Sequence, residues 1–287
     1  MDYELRSEYW KDPRAKAAFK DFILKIHGLD FSTWDQAGFW DEAYTPFSYF
    51  MDDELVANVC VYLLDAIIDG RQTKLAQISG VGTYIDHRRK GLSRRLTEIG
   101  LEWAKEKHEG VFLFADTDAI TYYEKTGFQP IEEYLEVTRA TPTPMRKGAV
   151  RLDPDNHDHL AKIHNYAKNR VPVSDHFSVG SEKLTMFHVL YTMRNVIYEI
   201  PKLNCLVFCK RSVDRLSVFD VVGERIPNWN EIYPFIADPC DENVEFHFYT
   251  DKLNVEGAAL KTLGGNLPFI KGAFLVEKPV FPFTCRA

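Results

Sequence analysis

Residues 77–96, QISGVGTYIDHRRKGLSRRL, combine residue types suited to gripping an anion. Ile78, Val81, Thr83 and Ile85 favour an extended strand, interrupted by Gly80 and Gly82. The strand breaks at Asp86-His87 and passes through the basic turn Arg88-Arg89-Lys90-Gly91. A helix follows, with Leu92, Leu96, Ile99 and Trp103 recurring on one face. A helix N-terminus presents unpaired N–H groups and the positive end of the helix dipole. Gly91 removes the Cβ that would hold an anion off the backbone, and the cations before it add charge-assisted hydrogen bonds. That is the chemistry of a pyrophosphate cradle. On charge alone the same turn also reads as an ordinary solvated loop. It is neither a Walker loop nor a dinucleotide fingerprint, since it has one glycine and the basic residues precede it.

Further on, residues 111–131, VFLFADTDAITYYEKTGFQPI, read as a buried strand, a short helix carrying Tyr122 and Tyr123, and a Gly127-Phe128 turn into the next strand. Arg88, Gly91 and Ser93 fit the [QR]xxGx[GA] signature of the GNAT superfamily of acetyl-CoA-dependent N-acetyltransferases, with Ser93 in place of the usual small residue. Tyr123 with Gly127-Phe128 resembles the FYxxxGF segment of the same superfamily. The two motifs stand in the expected order and spacing, and the resemblance covers about the first half of the chain.

The resemblance implies a mixed α/β sheet of the GNAT fold and acetyl-CoA as co-substrate. It places main-chain N–H groups of Val81, Gly82 and Thr83 on the thioester carbonyl, as an oxyanion hole. Arg88, Arg89, Lys90, Gly91, Leu92, Ser93 and Arg94 would hold the phosphates. Tyr123 becomes the candidate general acid, with Tyr122 as rival. An ordinary phenol pKa of about 10 lies close to that of a leaving thiol, so proton transfer is roughly balanced. Outside this context either tyrosine is a packing residue on a short helix.

The proton acceptor stays open among Asp35, Asp41 and Glu42, a water chain, and the carboxylate of Ala287. The last requires the tail FPFTCRA to reach the first domain. Trp34, Asp35, Trp40, Asp41 and Glu42 belong to a loop whose aromatic and acidic composition suits a cationic amine. The plainer reading is core packing for the tryptophans and a solvated face for the acids. His157, His159 and His164 fit no metal-ligand spacing, so no metal is assigned.

The chain has 287 residues, enough for two domains, with 45% hydrophobic and 14% aromatic residues, which argues against disorder. A net charge of −7 disfavours a nucleic-acid binder. No apolar run approaches a membrane span and the start lacks a signal peptide's apolar core. Five scattered cysteines without a CxxC read as reduced thiols of a cytoplasmic protein.

Around the motifs, periodicity predicts a helix over 12–27, paired strands over 44–51 and 55–68 with a turn at Asp52-Asp53, and a strand over 134–138 closing the first unit. Residues 1–140 form the catalytic GNAT-like domain of this reading. Residues 141–150, with prolines and a basic patch, form a linker, and residues 151–287 a degenerate GNAT-like copy. That copy comprises helices over 155–169 (capped at Asp153 or Asp155), 182–193 and 230–237, strands over 205–210, 216–222 and 244–249, a small-residue helix over 254–264 and a last strand. It lacks both motifs and is not expected to bind acetyl-CoA. Tandem GNAT proteins with such a copy exist, among them the enhanced intracellular survival acetyltransferases.

The function implied is acetyl transfer to a primary amine of a small molecule. A protein amine is an alternative acceptor, and a CoA-binding regulatory protein without turnover is the alternative of a different class. A homo-oligomer is compatible with either.

Overall fold

The computed structural model describes residues 2–264, 267–272 and 276–287. In the first half, strand β1 (Glu4–Ser7) precedes α1 (Pro13–His27) and α2 (Ser32–Gln36). Next come β2 (Tyr44–Met51), β3 (Glu54–Ile68), β4 (Arg71–Thr83), α3 (Leu92–Ala104), β5 (Val111–Ala115), α4 (Ile120–Lys125), β6 (Gln129–Pro130) and β7 (Tyr134–Arg139). The second half contributes β8 (Val150–Arg151), α5 (His157–Lys168), β9 (Phe177–Gly180), α6 (Glu182–Tyr191), β10 (Ile197–Ile200), β11 (Cys205–Ser212), β12 (Arg215–Gly223), α7 (Trp229–Ile236), β13 (Asn243–Phe246), β14 (Ala259–Thr262) and β15 (Leu267–Lys271).

Local signals account for most of these boundaries. Asp12 caps α1 by accepting from the Arg14 and Ala15 amides, Pro13 opens the helix, and Gly28 ends it at φ +69°. The β2–β3 turn has Asp52 and Asp53 both at positive φ, and the β3–β4 turn has Asp69 and Gly70 likewise. These are the primed turns that match strand twist. α5 is capped by Asn156, not by Asp153 or Asp155, so it starts later than periodicity predicts. Residues 251–257 form turns, with Asn254 and Gly257 at positive φ, and an edge strand follows. The small-residue helix expected over 254–264 is therefore absent: left-handed residues interrupt it before a first turn closes.

Among the described residues, one sheet runs β1-β2-β3-β4-β5-β15-β6, with β9 added on β3, and the other runs β14-β7-β13-β12-β11-β10-β8. Each sheet therefore borrows from the other half of the chain. β7 was expected to close the first unit, yet it pairs with β13 and β14 in the second sheet. Its place beside β5 is taken by β15 from the far end of the chain. Pro130 cuts β6 to two residues, while buried Phe269 of β15 packs against Tyr123. The division by sheet thus does not follow the order of the chain on either side of the linker read at residues 141–150.

α3 buries Leu92 and Leu96 on one face of the first sheet, against Val59, Val61 and Ile78. Two such leucines contribute on the order of 2 kcal/mol each. The opposite face lies under α1 and continues through Phe31, Trp34 and Phe187 into the second half, as one apolar core. No helix among the described residues is long and apolar enough to cross a membrane.

Candidate acyl-transfer site

β4 and β5 run parallel but pair only at Ala76–Val111 and Gln77–Phe112, then separate. Opposite Val59 of β3, β4 carries a bulge that holds Gly80 and Val81. Gly80 sits at φ +55°, which favours glycine, and a Cβ there would be tight, 3.1 Å from the Tyr44 hydroxyl and 3.2 Å from Cys60 Sγ. A buried polar chain pins the bulge. Tyr9 meets Ser48 at 2.6 Å, Ser48 donates to Asn58 Oδ1 at 2.7 Å, and Asn58 Nδ2 donates to the Gly80 carbonyl at 2.8 Å.

The opening leads into a cavity of about 270 Å³. Ile78, Ser79, Gly80 and Val81 form one wall, and Phe114, Asp116, Tyr122 and Tyr123 face them from the end of β5 and from α4. His27 at the end of α1, Phe31, Trp34, Tyr44 and Tyr62 close the floor, with Phe187 from α6 and Ala287 from the tail. Tyr123 is 6% exposed and lies edge-on to Phe128 and Tyr122. Burial raises its pKa well above the ordinary phenol value, and Tyr122 and Asp116 add to the effect. The phenol is therefore fully protonated at neutral pH, the state a donor needs, but less evenly matched to a thiol than an ordinary phenol. Tyr122 is turned toward α3, where its hydroxyl meets Thr97 at 3.2 Å.

At the other end of β4, Gly91 lies at φ +74° as N-cap of α3, and no side chain caps the helix. Arg88, Arg89 and Lys90 are exposed around it. Arg88 donates to the Thr83 carbonyl at 3.1 Å, and Ser93 meets the Thr83 hydroxyl at 2.7 Å, which ties the turn to the strand. Arg94 is drawn aside by Glu98 at 3.0 Å. Gly82 lies under α1: a Cβ there would sit 2.9 Å from Ile26, so its missing side chain admits the helix.

The acceptor loop is arranged differently from the sequence reading. Trp34 lines the cavity, but Trp40 packs on Phe19 and donates to the Tyr44 carbonyl at 3.2 Å. Asp35 is taken by Lys16 and Lys20 of α1. Asp41 holds the Ala43 amide at 3.0 Å, and neither it nor Glu42 lines the cavity. The acidic side chain that does is Asp116, and the imidazole is His27, whose pKa burial lowers against the opposing pull of Asp116. Sequence reading missed both: a lone histidine before a helix-ending glycine carries no motif, and Asp116 resembles any strand-end turn residue.

The tail does reach the first sheet. Arg286 pairs with Glu133 and lies over the Phe114 ring, and the Ala287 amide donates to Gln77 Oε1 at 3.2 Å. Of the three histidines considered for metal, His164 pairs with Glu182, His159 accepts from the Asp153 amide, and His157 is exposed. No metal-binding group of His, Cys, Asp or Glu occurs among the described residues.

A splayed sheet, a Gly-capped helix behind a basic turn and a tyrosine on the opposite rim are the arrangement that the GNAT resemblance implies. Residues 37–131 match the family model described as an acetyltransferase (GNAT) domain. The chain carries a GNAT N-acetyltransferase domain in its first half. No curated protein sequence matches it significantly. A probable N-acyltransferase of Enterococcus faecalis superposes with TM-score 0.56 at 13% identity, covering 94% of this chain and 72% of the other. Eis1 of Mycobacterium abscessus gives 0.55 at 16%, covering 94% and 73%. A GCN5-related N-acetyltransferase of Kribbella flavida gives 0.51 at 15%, covering 93% and 71%. At these identities the likeness is one of fold, and it extends over both halves.

Proposed function

We propose that the protein transfers an acetyl group from acetyl-CoA directly to the primary amine of a small molecule. The observation that carries the reading is that one strand, β4, left unpaired by β5 past Gln77, lines the cavity at Tyr123 and leads through the basic turn to the uncapped start of α3. The diphosphate would rest on the first-turn amides of α3, Leu92, Ser93 and Arg94, with Arg88, Arg89 and Lys90 supplying charge. The pantetheine arm would lie in the gap between β4 and β5, with the thioester carbonyl on the main chain near Val81, Gly82 and Thr83.

The amine nitrogen, freed of its extra proton, attacks the thioester carbon, forming the C–N bond. The tetrahedral intermediate collapses with cleavage of the C–S bond, and Tyr123 donates its phenolic proton to the departing sulfur. The neutral imidazole of His27 is the side chain at the cavity suited to take the ammonium proton. An acyl-cysteine intermediate is disfavoured: burial pushes the Cys60 thiol, beside the bulge, up to about 12, so it stays protonated. We assign the second GNAT-like unit a supporting role without its own acetyl-CoA site. The test is thiol release from acetyl-CoA with a panel of amines. Acetyl-CoA binding without thiol release from any amine would favour a regulatory CoA-binding protein.

A further inference from the structure

The cavity beside Tyr123 limits what can be acetylated there. Its volume, about 270 Å³, lies at or below the small end of ligand pockets, and part of it must admit the acetyl-pantetheine end. Besides His27, Tyr122 and Tyr123, six of its walls are rings: Phe31, Trp34, Tyr44, Tyr62, Phe114 and Phe187. Their polar edges are already engaged. The Trp34 indole donates to the Lys183 carbonyl at 3.0 Å, Tyr62 meets Ser181 at 2.9 Å, and Tyr44 meets Ser79 at 3.4 Å. The acids of the neighbouring loop are turned elsewhere, Asp35 to two lysines and Asp41 to a backbone amide. Among side chains lining the cavity, one carboxylate remains, Asp116, beside Tyr122 and Tyr123 at the rim.

We infer that the acceptor is a compact monoamine with an aromatic or branched aliphatic body, its one ammonium held near Asp116 and its body among the rings. The inference rests on the acetyltransferase reading and names its substrate class. One ammonium matches the single acidic side chain, and aromatic faces add cation–π attraction. A polyamine or an amino sugar would bring further charges and hydroxyls against rings whose own polar atoms are already engaged, with Asp116 the one acidic side chain to meet them, leaving most of them buried and unpaired.

The experiment compares phenethylamine and isopentylamine with spermidine and kanamycin, following thiol release at saturating acetyl-CoA and product mass. A parallel calorimetric titration with acetyl-CoA alone uses the full chain. The compact monoamines are expected to exceed the polycations by about a hundredfold in kcat/KM. Asp116→Asn is expected to raise the amine KM about tenfold, with the acetyl-CoA Kd unchanged. Equal or faster turnover of spermidine or kanamycin overturns the inference, as does failure of both monoamines. In either case acetyl-CoA binding together with thiol release from any other amine leaves the acetyltransferase reading standing, whereas loss of that binding, or binding with no thiol release from any amine, removes the reading itself.

Discussion

Two helix starts in this chain occupy corresponding places and are built in opposite ways. α3 follows β4 through Arg88-Arg89-Lys90 and begins at Gly91 with no side-chain cap. α7 follows β12 and begins at Asn228 in a capping box, with the Glu231 carboxylate accepting from the Asn228 amide at 3.0 Å. One helix start is open and surrounded by cations; the other already holds an acid of its own. The spaces beside the two strands differ in the same sense. The edge of β4 past Gln77 faces a cavity, whereas Asp220 of β12 is fully buried, gripped by Arg170 at 2.8 Å and by the tail hydroxyl of Thr284 at 2.6 Å. A GNAT-like frame therefore does not itself make a cofactor site. On the function proposed above, what makes one is the absence of groups that satisfy the helix start and fill the gap.

The sharpest way to break this contrast is at the reacting end. Tyr123→Phe is expected to lower kcat by 10²- to 10⁴-fold with little change in acetyl-CoA affinity. Unchanged turnover would remove Tyr123 from the chemistry. Copying the second unit into the first comes next. Gly91→Asp keeps a residue type that tolerates left-handed φ but sets a carboxylate on the helix start, and it should weaken acetyl-CoA about a hundredfold in calorimetry. Gly91→Asn, without the charge, should weaken it far less. If the two variants behave alike, the electrostatic account of the open helix start is wrong.

Acid should loosen the hold of α6 on the tail. His188 is buried, donates from Nε2 to the Arg286 carbonyl at 2.9 Å, and has its pKa lowered to about 4 by burial. Above the ordinary value of 6.5 both folded and unfolded chains leave it neutral. As pH falls below that, the unfolded chain takes up a proton the folded one refuses, so stability drops progressively toward pH 4, by up to about 3 kcal/mol. Urea unfolding at pH 7, 5.5 and 4.5 checks the sign, and a flat profile would contradict it. The smallest effect is the reverse substitution: Glu231→Gln should cost about 1 kcal/mol or less of stability and leave acetyl-CoA binding unchanged.

Much of the first unit was legible in the sequence because its signals are local. The strand, basic turn and helix at residues 77–104, the turns at Asp52-Asp53 and Asp69-Gly70, and the short tyrosine helix are each specified by neighbours in sequence. What could not be read depends on distant partners. That β7 and β15 sit in each other's expected sheets is decided by which strand fits beside β5, about 150 residues from β15 in sequence. Asp35 reads as an open acid until Lys16 and Lys20, a helix away, are seen to hold it. His27 and Asp116 come to one cavity only when α1 is laid across the splayed sheet.

Isothermal titration with acetyl-CoA, run on the wild-type chain and on Gly91→Asp, tests the open helix start most directly. Heat indicating one site per chain in the wild type, largely lost in the variant at unchanged fold by circular dichroism, is the expected result. Two sites per chain, no heat in the wild type, or equal binding by both proteins would contradict it.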